Sequence, residues 1–250
     1  MRWFIALLFM AFPAFAETVV LGLSQNEIAI TTSFDGSEIL VFGAVKRETP
    51  IPEGPPLEVI VTVAGPSEPV NVRRKEKKLG IWVNMDTIEV DQAPSFYAVA
   101  TSGPLRDVLS NIEDLRYKIS VPRAIRSVGA PMAITDAASF TEALIRIRTA
   151  NDLYQLNENH VAVDDQTLFR GRIELPAALT EGAYETRIFL TRSGKVISQY
   201  ETSIDVRKVG LERWLFSLSR EQPILYGLMS LAIAIAAGWL ASAAFSLLRN

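Results

Sequence analysis

Cysteine is absent from all 250 residues and histidine occurs once, at His160. The first absence excludes disulfides, thiolate metal sites and cysteine nucleophiles together, so the fold must hold by packing alone. It fits export into a compartment that oxidises stray thiols, as it also fits chance. The second excludes a two-histidine zinc site and would route any histidine-based triad through one residue. Neither a glycine-rich phosphate cradle nor a G-x-S-x-G nucleophile turn is present. A basic excess is missing too: 25 basic residues face 28 acidic ones, a formal net charge of -3. Setting aside Arg2 and Arg249 leaves 23 against 28, near -5 between the hydrophobic ends. That argues against a nucleic-acid partner, which wants a basic footprint. With 49% apolar and 21% charged residues, the chain has the composition of a folded protein carrying membrane segments.

The two hydrophobic ends differ. "MRWFIALLFMAFPAFAE" places Arg2 before an apolar run from Trp3 to Phe12, then Pro13 and Ala14-Phe15-Ala16 ahead of Glu17. This is a three-part export signal, and cleavage after Ala16 is expected. Pro223 to Leu248 is 26 uncharged residues, about 39 Å as a helix, which exceeds the roughly 30 Å hydrocarbon layer. It reads as a tilted membrane span. The export signal puts the body outside and the last two residues in the cytoplasm. Arg207, Lys208, Arg213 and Arg220 on the outer flank oppose the positive-inside bias, but long translocated domains cross largely regardless of charge.

Along that span Ser230, Ala234, Gly238 and Ser242 recur every fourth position, with Ser246 continuing the stripe. Such a face lets another helix approach closely, whereas the plainer reading is simple alanine-rich composition. Whether it meets a copy of itself or another protein stays open. Just before it, "VGLERWLFSLSREQP" spaces Leu211, Trp214, Leu215 and Leu218 as an amphipathic helix, with Trp214 as an interfacial anchor. A plain extension of the span is the alternative, although Pro223 favours a break. Only Lys208, Val209 and Gly210 separate this segment from the last expected strand, so work close to the bilayer is expected.

Strand signals dominate the body. "EIAITTSFDGSEILVFGAV" alternates through Ile28, Ile30, Thr32 and Phe34, then offers Asp35-Gly36 as a hairpin turn. "PLEVIVTVAGPSEPVNVRR" puts Leu57, Val59, Val61 and Val63 on one face, and Gly65-Pro66-Ser67 is expected to return the chain as a second hairpin. "LFRGRIELP" alternates Phe169, Gly171, Ile173 and Leu175 with Arg170, Arg172 and Glu174, and Ser193-Gly194 joins two further strands. Between these blocks, Leu105, Val108, Leu109, Ile112 and Leu115 keep helical spacing. A second helix is expected with a Ser139/Glu142 capping box, a Glu142/Arg146 pair and an apolar line of Phe140, Leu144 and Ile147.

The expected fold is therefore mainly β, an immunoglobulin-like antiparallel sandwich of one or two units with a helical insert and a C-terminal transmembrane helix. Its segments are a signal peptide (1–16), an N-terminal β-sandwich region with a terminal helix (17–121), a helical insert (122–159) and a C-terminal strand region (160–208). A juxtamembrane amphipathic segment (209–222), the span (223–248) and a cytoplasmic tail (249–250) complete the chain.

Signals for chemistry are thin. His160 lies near Asp164 and Asp165, but one imidazole with turn carboxylates makes a poor metal site. Asp86, Glu89 and Asp91 cluster in "NMDTIEVDQ" without calcium-loop spacing, and solvated strand edges carry such charges routinely. "VRRKEKKLGIWVN" is the most eccentric stretch. Arg73, Arg74, Lys75, Lys77 and Lys78 surround Glu76 and suit a loop that touches anionic lipid or an acidic partner, or else a charged hairpin guarding a strand edge. Ile81, Trp82 and Val83 read as a buried strand.

The order of export signal, "LGLSQNEIAITTSFDGSEILVFGAV", "RRKEKKLGIWVN", "PSFYAV", "RGRIELP" and "PILYGLMSLAIAIAAGWLA" resembles the alphaproteobacterial putative transmembrane protein family across nearly the whole chain. The resemblance implies an exported protein with one C-terminal span, associated with genes for multi-pass anion exporters. It carries no catalytic residues over: Trp82, Asn84, Tyr97 and Trp239 match motif positions without roles. The expected function is a non-enzymatic, cofactor-free single-pass protein of the bacterial inner membrane with a periplasmic body, an accessory or assembly subunit of an integral membrane protein. The alternative is a periplasmic binding module for a small anion or envelope component. A hydrolase would require the carboxylates to converge in a cleft.

Overall fold

The computed structural model describes residues 17–25, 27–31, 34–48, 50–52, 54–127 and 136–248. The expected signal peptide and cytoplasmic tail lie outside these, as do Thr32 and Ser33 of the first expected hairpin. The chain runs β1 (Thr18–Leu23), β2 (Glu27–Ile30), β3 (Ser37–Lys46), β4 (Glu58–Ala64), β5 (Ser67–Lys78), β6 (Ile81–Pro94) and β7 (Tyr97–Thr101). Helices α1 (Leu105–Val108), α2 (Asn111–Tyr117), α3 (Val121–Ala124) and α4 (Ala137–Ala150) follow. Then come β8 (Tyr154–Asn157), β9 (Val161–Asp164), β10 (Leu168–Leu175), β11 (Gly182–Arg192) and β12 (Lys195–Lys208), with α5 (Leu211–Glu221) and α6 (Pro223–Leu248) at the end. The fold is mainly β, 48% strand against 27% helix. Residues 17–28 and 35–206 contribute to one compact unit, the body, and residues 29–34 and 207–248 to a second.

The strands form a four-stranded sheet in the order β1-β3-β10-β9, a six-stranded sheet β2-β12-β11-β4-β7-β8 and a ribbon β5-β6. The first is antiparallel throughout, and in the second β7 and β8 run parallel. Strand β10 shows why its sequence alternates: Phe169, Gly171, Ile173 and Leu175 are buried while Leu168, Arg170, Arg172 and Glu174 face solvent. Arg172 reaches Glu38 of the neighbouring β3 at 3.5 Å. Gly43 of β3 leaves room for that packing, since a Cβ there would stand 2.6 Å from the Phe169 ring and 2.7 Å from the Val20 carbonyl oxygen.

Strand β4 is buried from Val59 to Val63 without alternation, because both faces of its sheet are covered. On one side β4 lies against β9 and β7 against β10. On the other, Ile60, Tyr97, Val99 and Phe189 pack with Val108, Leu109, Ile119 and Leu144 from the helical stretch. Strands of the 17–121 and 160–208 segments pair directly, β3 with β10 and β4 with β11, so the two segments share sheets. The helices cover a face of the six-stranded sheet.

Both early hairpins are corrected by this topology. β2 and β3 belong to different sheets, and β4 pairs with β11 and β7 while β5 leaves to join β6. Asp35-Gly36 and Gly65-Pro66 do redirect the chain, but a turn residue fixes a reversal and not the pairing partner. The expected β11–β12 hairpin forms, with Arg192 opposite Lys195 around Ser193-Gly194.

The first helical pattern is also corrected. It breaks at Leu109 and Ser110, both extended. Ser110 caps α2, accepting from the Glu113 amide at 3.4 Å, and its own amide donates to the Gly194 carbonyl at 2.9 Å. A serine competes better at a cap than in a helix interior. The break turns Ile112 and Leu115 to solvent, whereas Val108 and Leu109 stay buried. In α4 the N-cap is Asp136, so Ser139 sits one turn inside and the expected capping box does not begin the helix. Phe140 and Leu144 are buried, but Ile147 is exposed.

Burial pushes the phenols of Tyr97 and Tyr154 up to about 12, each moderated by a nearby arginine, Arg187 and Arg148. The Tyr97 hydroxyl donates to the Ile119 carbonyl at 2.8 Å, and Arg187 Nη2 approaches it at 3.3 Å. A folded phenol pKa above its unfolded value means the fold favours the neutral form. That stability is complete below pH 10 and disappears as pH rises towards 12. Of six tyrosines, Tyr97 and Tyr154 are expected to ionise only together with alkaline unfolding, seen as a tyrosinate absorbance step coinciding with loss of circular dichroism. Smooth ionisation of every tyrosine near pH 10 in a folded chain would contradict this packing.

Candidate interaction surfaces

The β5–β6 ribbon carries the basic stretch. Its lower half packs through Val72 and Ile88, Val70 and Val90, cross-strand pairs that turn apolar side chains towards the body. At the next rung Arg74 stands opposite Asp86. Its guanidinium stacks 4.5 Å above the Phe140 ring of α4, donates to Ser139 Oγ at 2.8 Å and reaches Asp136 at 3.1 Å and Asp86 at 3.9 Å. The Asp136 carboxyl is held below the usual carboxylate range, first by the Ser139 hydrogen bond and then by Arg74. Arg74 therefore clamps the ribbon to α4 and leaves the expected ligand-facing group. Arg73, Lys75, Lys77 and Lys78 stay exposed.

Above the clamp the rungs are Lys75 with Asn84, Glu76 with Val83, Lys77 with Trp82 and Lys78 with Ile81. Leu79 (φ +50°) and Gly80 (φ +88°) close the tip, the pair of positive φ angles that a tight two-residue hairpin demands. The expected burial of Ile81 and Trp82 is corrected here. Ile81 is 65% exposed, Trp82 68% and Leu79 fully exposed. The signal for this lay in the sequence: "RRKEKK" offers no apolar residue to bury beside them, so Ile81 and Trp82 had no core to join.

The carboxylates do not converge. Asp86 faces α4 beside Arg74, whereas Glu89 is exposed and points the other way along β6, as strand alternation dictates. His160 Nδ1 lies 2.8 Å from the Glu158 carbonyl oxygen. It borders an open cleft of about 530 Å³ with Asp35, Glu38, Arg172 and Glu174. A second cleft of about 560 Å³ lies between Leu105, Leu109, Asp114, Leu156 and Glu158. Among the described residues, no three histidine or carboxylate side chains are placed to hold a metal ion.

In the second unit, α5 ends at Glu221 and Gln222 is non-helical, so Pro223 opens α6 after a true break. Trp214 is 51% exposed, and Arg220 lies 5.2 Å over the Phe216 ring. α6 is a continuous helix of 26 residues, apolar enough to cross a membrane between Pro223 and Ser242. Ser230, Ala234, Gly238 and Ser242 are exposed on it. The Ser230 hydroxyl bonds back to the Tyr226 carbonyl at 2.9 Å, so it presents little polarity outward. A side chain added at Gly238 would meet nothing within 4 Å.

A search of curated proteins finds no match to this chain. A family model does match, over residues 18–246, from the first strand of the body nearly to the end of the apolar helix. The chain belongs to the family described as "Putative transmembrane protein (Alph_Pro_TM)".

Proposed function

We propose that this is a non-enzymatic single-pass protein of the bacterial inner membrane, with a β-sandwich body in the periplasm and its C-terminus in the cytoplasm. In this reading it serves as an accessory or assembly subunit of an integral membrane protein such as an anion exporter. The observation that carries the reading is α6, 26 residues without a charge whose small-residue face is open along its described length. Hydrophobicity cannot draw helices together in lipid, so a span that associates must do so by close packing, which small residues at every fourth position permit. The export-signal pattern of the sequence supports a periplasmic body in this reading, and the motif resemblance supports an exporter as the partner.

Mild detergent extraction followed by identification of the bound protein tests the role. Gly238→Leu puts bulk on the packing face and is expected to lower partner recovery roughly fivefold, given about 1 kcal/mol for a close helix contact. Unchanged recovery together with unchanged self-association would remove the intramembrane contact from the proposal.

A further inference from the structure

The ribbon tip exposes its most apolar side chains where the chain is most basic. Between Arg73 and Met85 the acidic residues are Glu76 alone, and once Arg74 is committed to its clamp, four cations remain on the arm of a chain whose formal net charge is -3. Leu79, Ile81 and Trp82 project there without cover from the body. The clamp on α4 fixes the base of the ribbon, so its distal five residues hold the tip about 16 Å farther out at the rise of a strand. A free inorganic anion or a polyanion would account for the lysines and leave Leu79 and Ile81 without purpose. An apolar protein groove would account for the tip and leave Lys75, Lys77 and Lys78 unanswered.

We propose that the β5–β6 tip seats in the interface of an anionic lipid bilayer, Leu79 and Ile81 entering the acyl boundary, Trp82 at headgroup depth and Lys75, Lys77 and Lys78 on the lipid phosphates. Each side chain then meets its preferred medium. Indole rings favour the membrane interface, lysine stems lie along apolar surface with their ammonium groups in the headgroups, and anionic lipid attracts clustered cations. The chain already belongs to the membrane through α6, so the arm is a second contact with the same kind of surface. This goes beyond the accessory role and does not depend on any protein partner.

The absence of cysteine supplies the test. Leu79→Cys gives a single labelling site at a position where nothing packs, so an environment-sensitive dye can be attached to the full chain. The labelled protein is placed in nanodiscs of phosphatidylcholine with or without phosphatidylglycerol, and in detergent micelles as reference. In discs containing phosphatidylglycerol, quenching by aqueous iodide is expected to fall about threefold below the micelle value, with quenching by brominated lipid appearing in its place. Lys75→Gln, Lys77→Gln and Lys78→Gln together should restore iodide access. Equal iodide access in both discs and micelles overturns the proposal, as does shielding that is indifferent to phosphatidylglycerol. Shielding that appears only when a second membrane protein is co-reconstituted overturns it too, and assigns the tip to that protein.

Discussion

Glu17→Ala is expected to lower the stability of the body by about 3–5 kcal/mol, the range for removing one partner from a buried ion pair. The carboxylate accepts from Arg47 Nε at 2.8 Å and from Arg192 Nη2 at 3.2 Å, with all three side chains at most 15% exposed. Arg47 also donates to Thr167 Oγ1 at 3.3 Å and to the Gln166 carbonyl, and Arg192 to the Pro55 carbonyl at 2.6 Å. These partners hold the two guanidinium groups in place when Glu17 is lost, so neither can swing out to water. Two buried cations would then face each other without their shared anion. For a body of this size the loss corresponds to a thermal midpoint lower by roughly 6–20 °C. Following thermal unfolding of the detergent-solubilised full chain would show it.

A second variant separates the ion pair from its packing. Arg192→Gln combined with Glu17→Gln should cost less than the two single changes added together, because both single changes lose the same Glu17–Arg192 bond and because removing Arg192 relieves its repulsion with Arg47 once Glu17 is gone. Strict additivity would mean that Glu17 and Arg192 do not share a buried network. The position of Glu17 gives the clamp a further sense. It immediately precedes β1, so the start of that strand is tied to β11 through Arg192 and to the end of β3 through Arg47.

Which features could be read from the sequence depended on the range of the interaction that fixes them. β10 was legible because its partners on either face are decided by alternation alone, and α6 because 26 uncharged residues have few soluble alternatives. The β11–β12 hairpin was legible because Ser193-Gly194 joins strands that pair with each other. The same turn logic failed at Asp35-Gly36 and Gly65-Pro66, where strand edges are taken by β10 and β11 from the other end of the chain. No local rule announces those partners. The break at Ser110 was hidden because Leu105 to Leu115 keep helical spacing, and only the amide contact to Gly194 shows why the extended conformation wins.

Arg74 illustrates the limit most clearly. In sequence it is one of five cations in six residues, and nothing nearby distinguishes it from Arg73. Its role comes from Asp136, 62 positions away, and from the Phe140 ring one turn farther along α4. The exposed tip beyond it was misread for the opposite reason. "IWV" carries a strong strand preference, and a strand preference says nothing about burial when the facing strand offers only lysines and a glutamate.

Introducing aspartate into α6 should move the protein out of the membrane in a graded way. Ten Leu, Ile and Phe residues between Pro223 and Leu248 favour insertion by about 3–6 kcal/mol in total, and each aspartate near the middle opposes it by about 2.5–3.5 kcal/mol. Ala236→Asp alone is therefore expected to leave a mixture. Ala232→Asp with Ala236→Asp costs about 5–7 kcal/mol, enough to cancel the whole gain. Both alanines lie off the stripe of Ser230, Ala234, Gly238 and Ser242, so the effect belongs to insertion and not to helix packing. Carbonate extraction of membranes reads the result: the unaltered chain stays in the pellet, the single variant divides, and the double variant is released. A double variant that resists carbonate would mean that something other than α6 holds the chain in lipid. Before carbonate, the released variant should still sediment with phosphatidylglycerol vesicles at low salt and leave them at high salt, because the lysines of the ribbon are held by screened charge whereas a span is not.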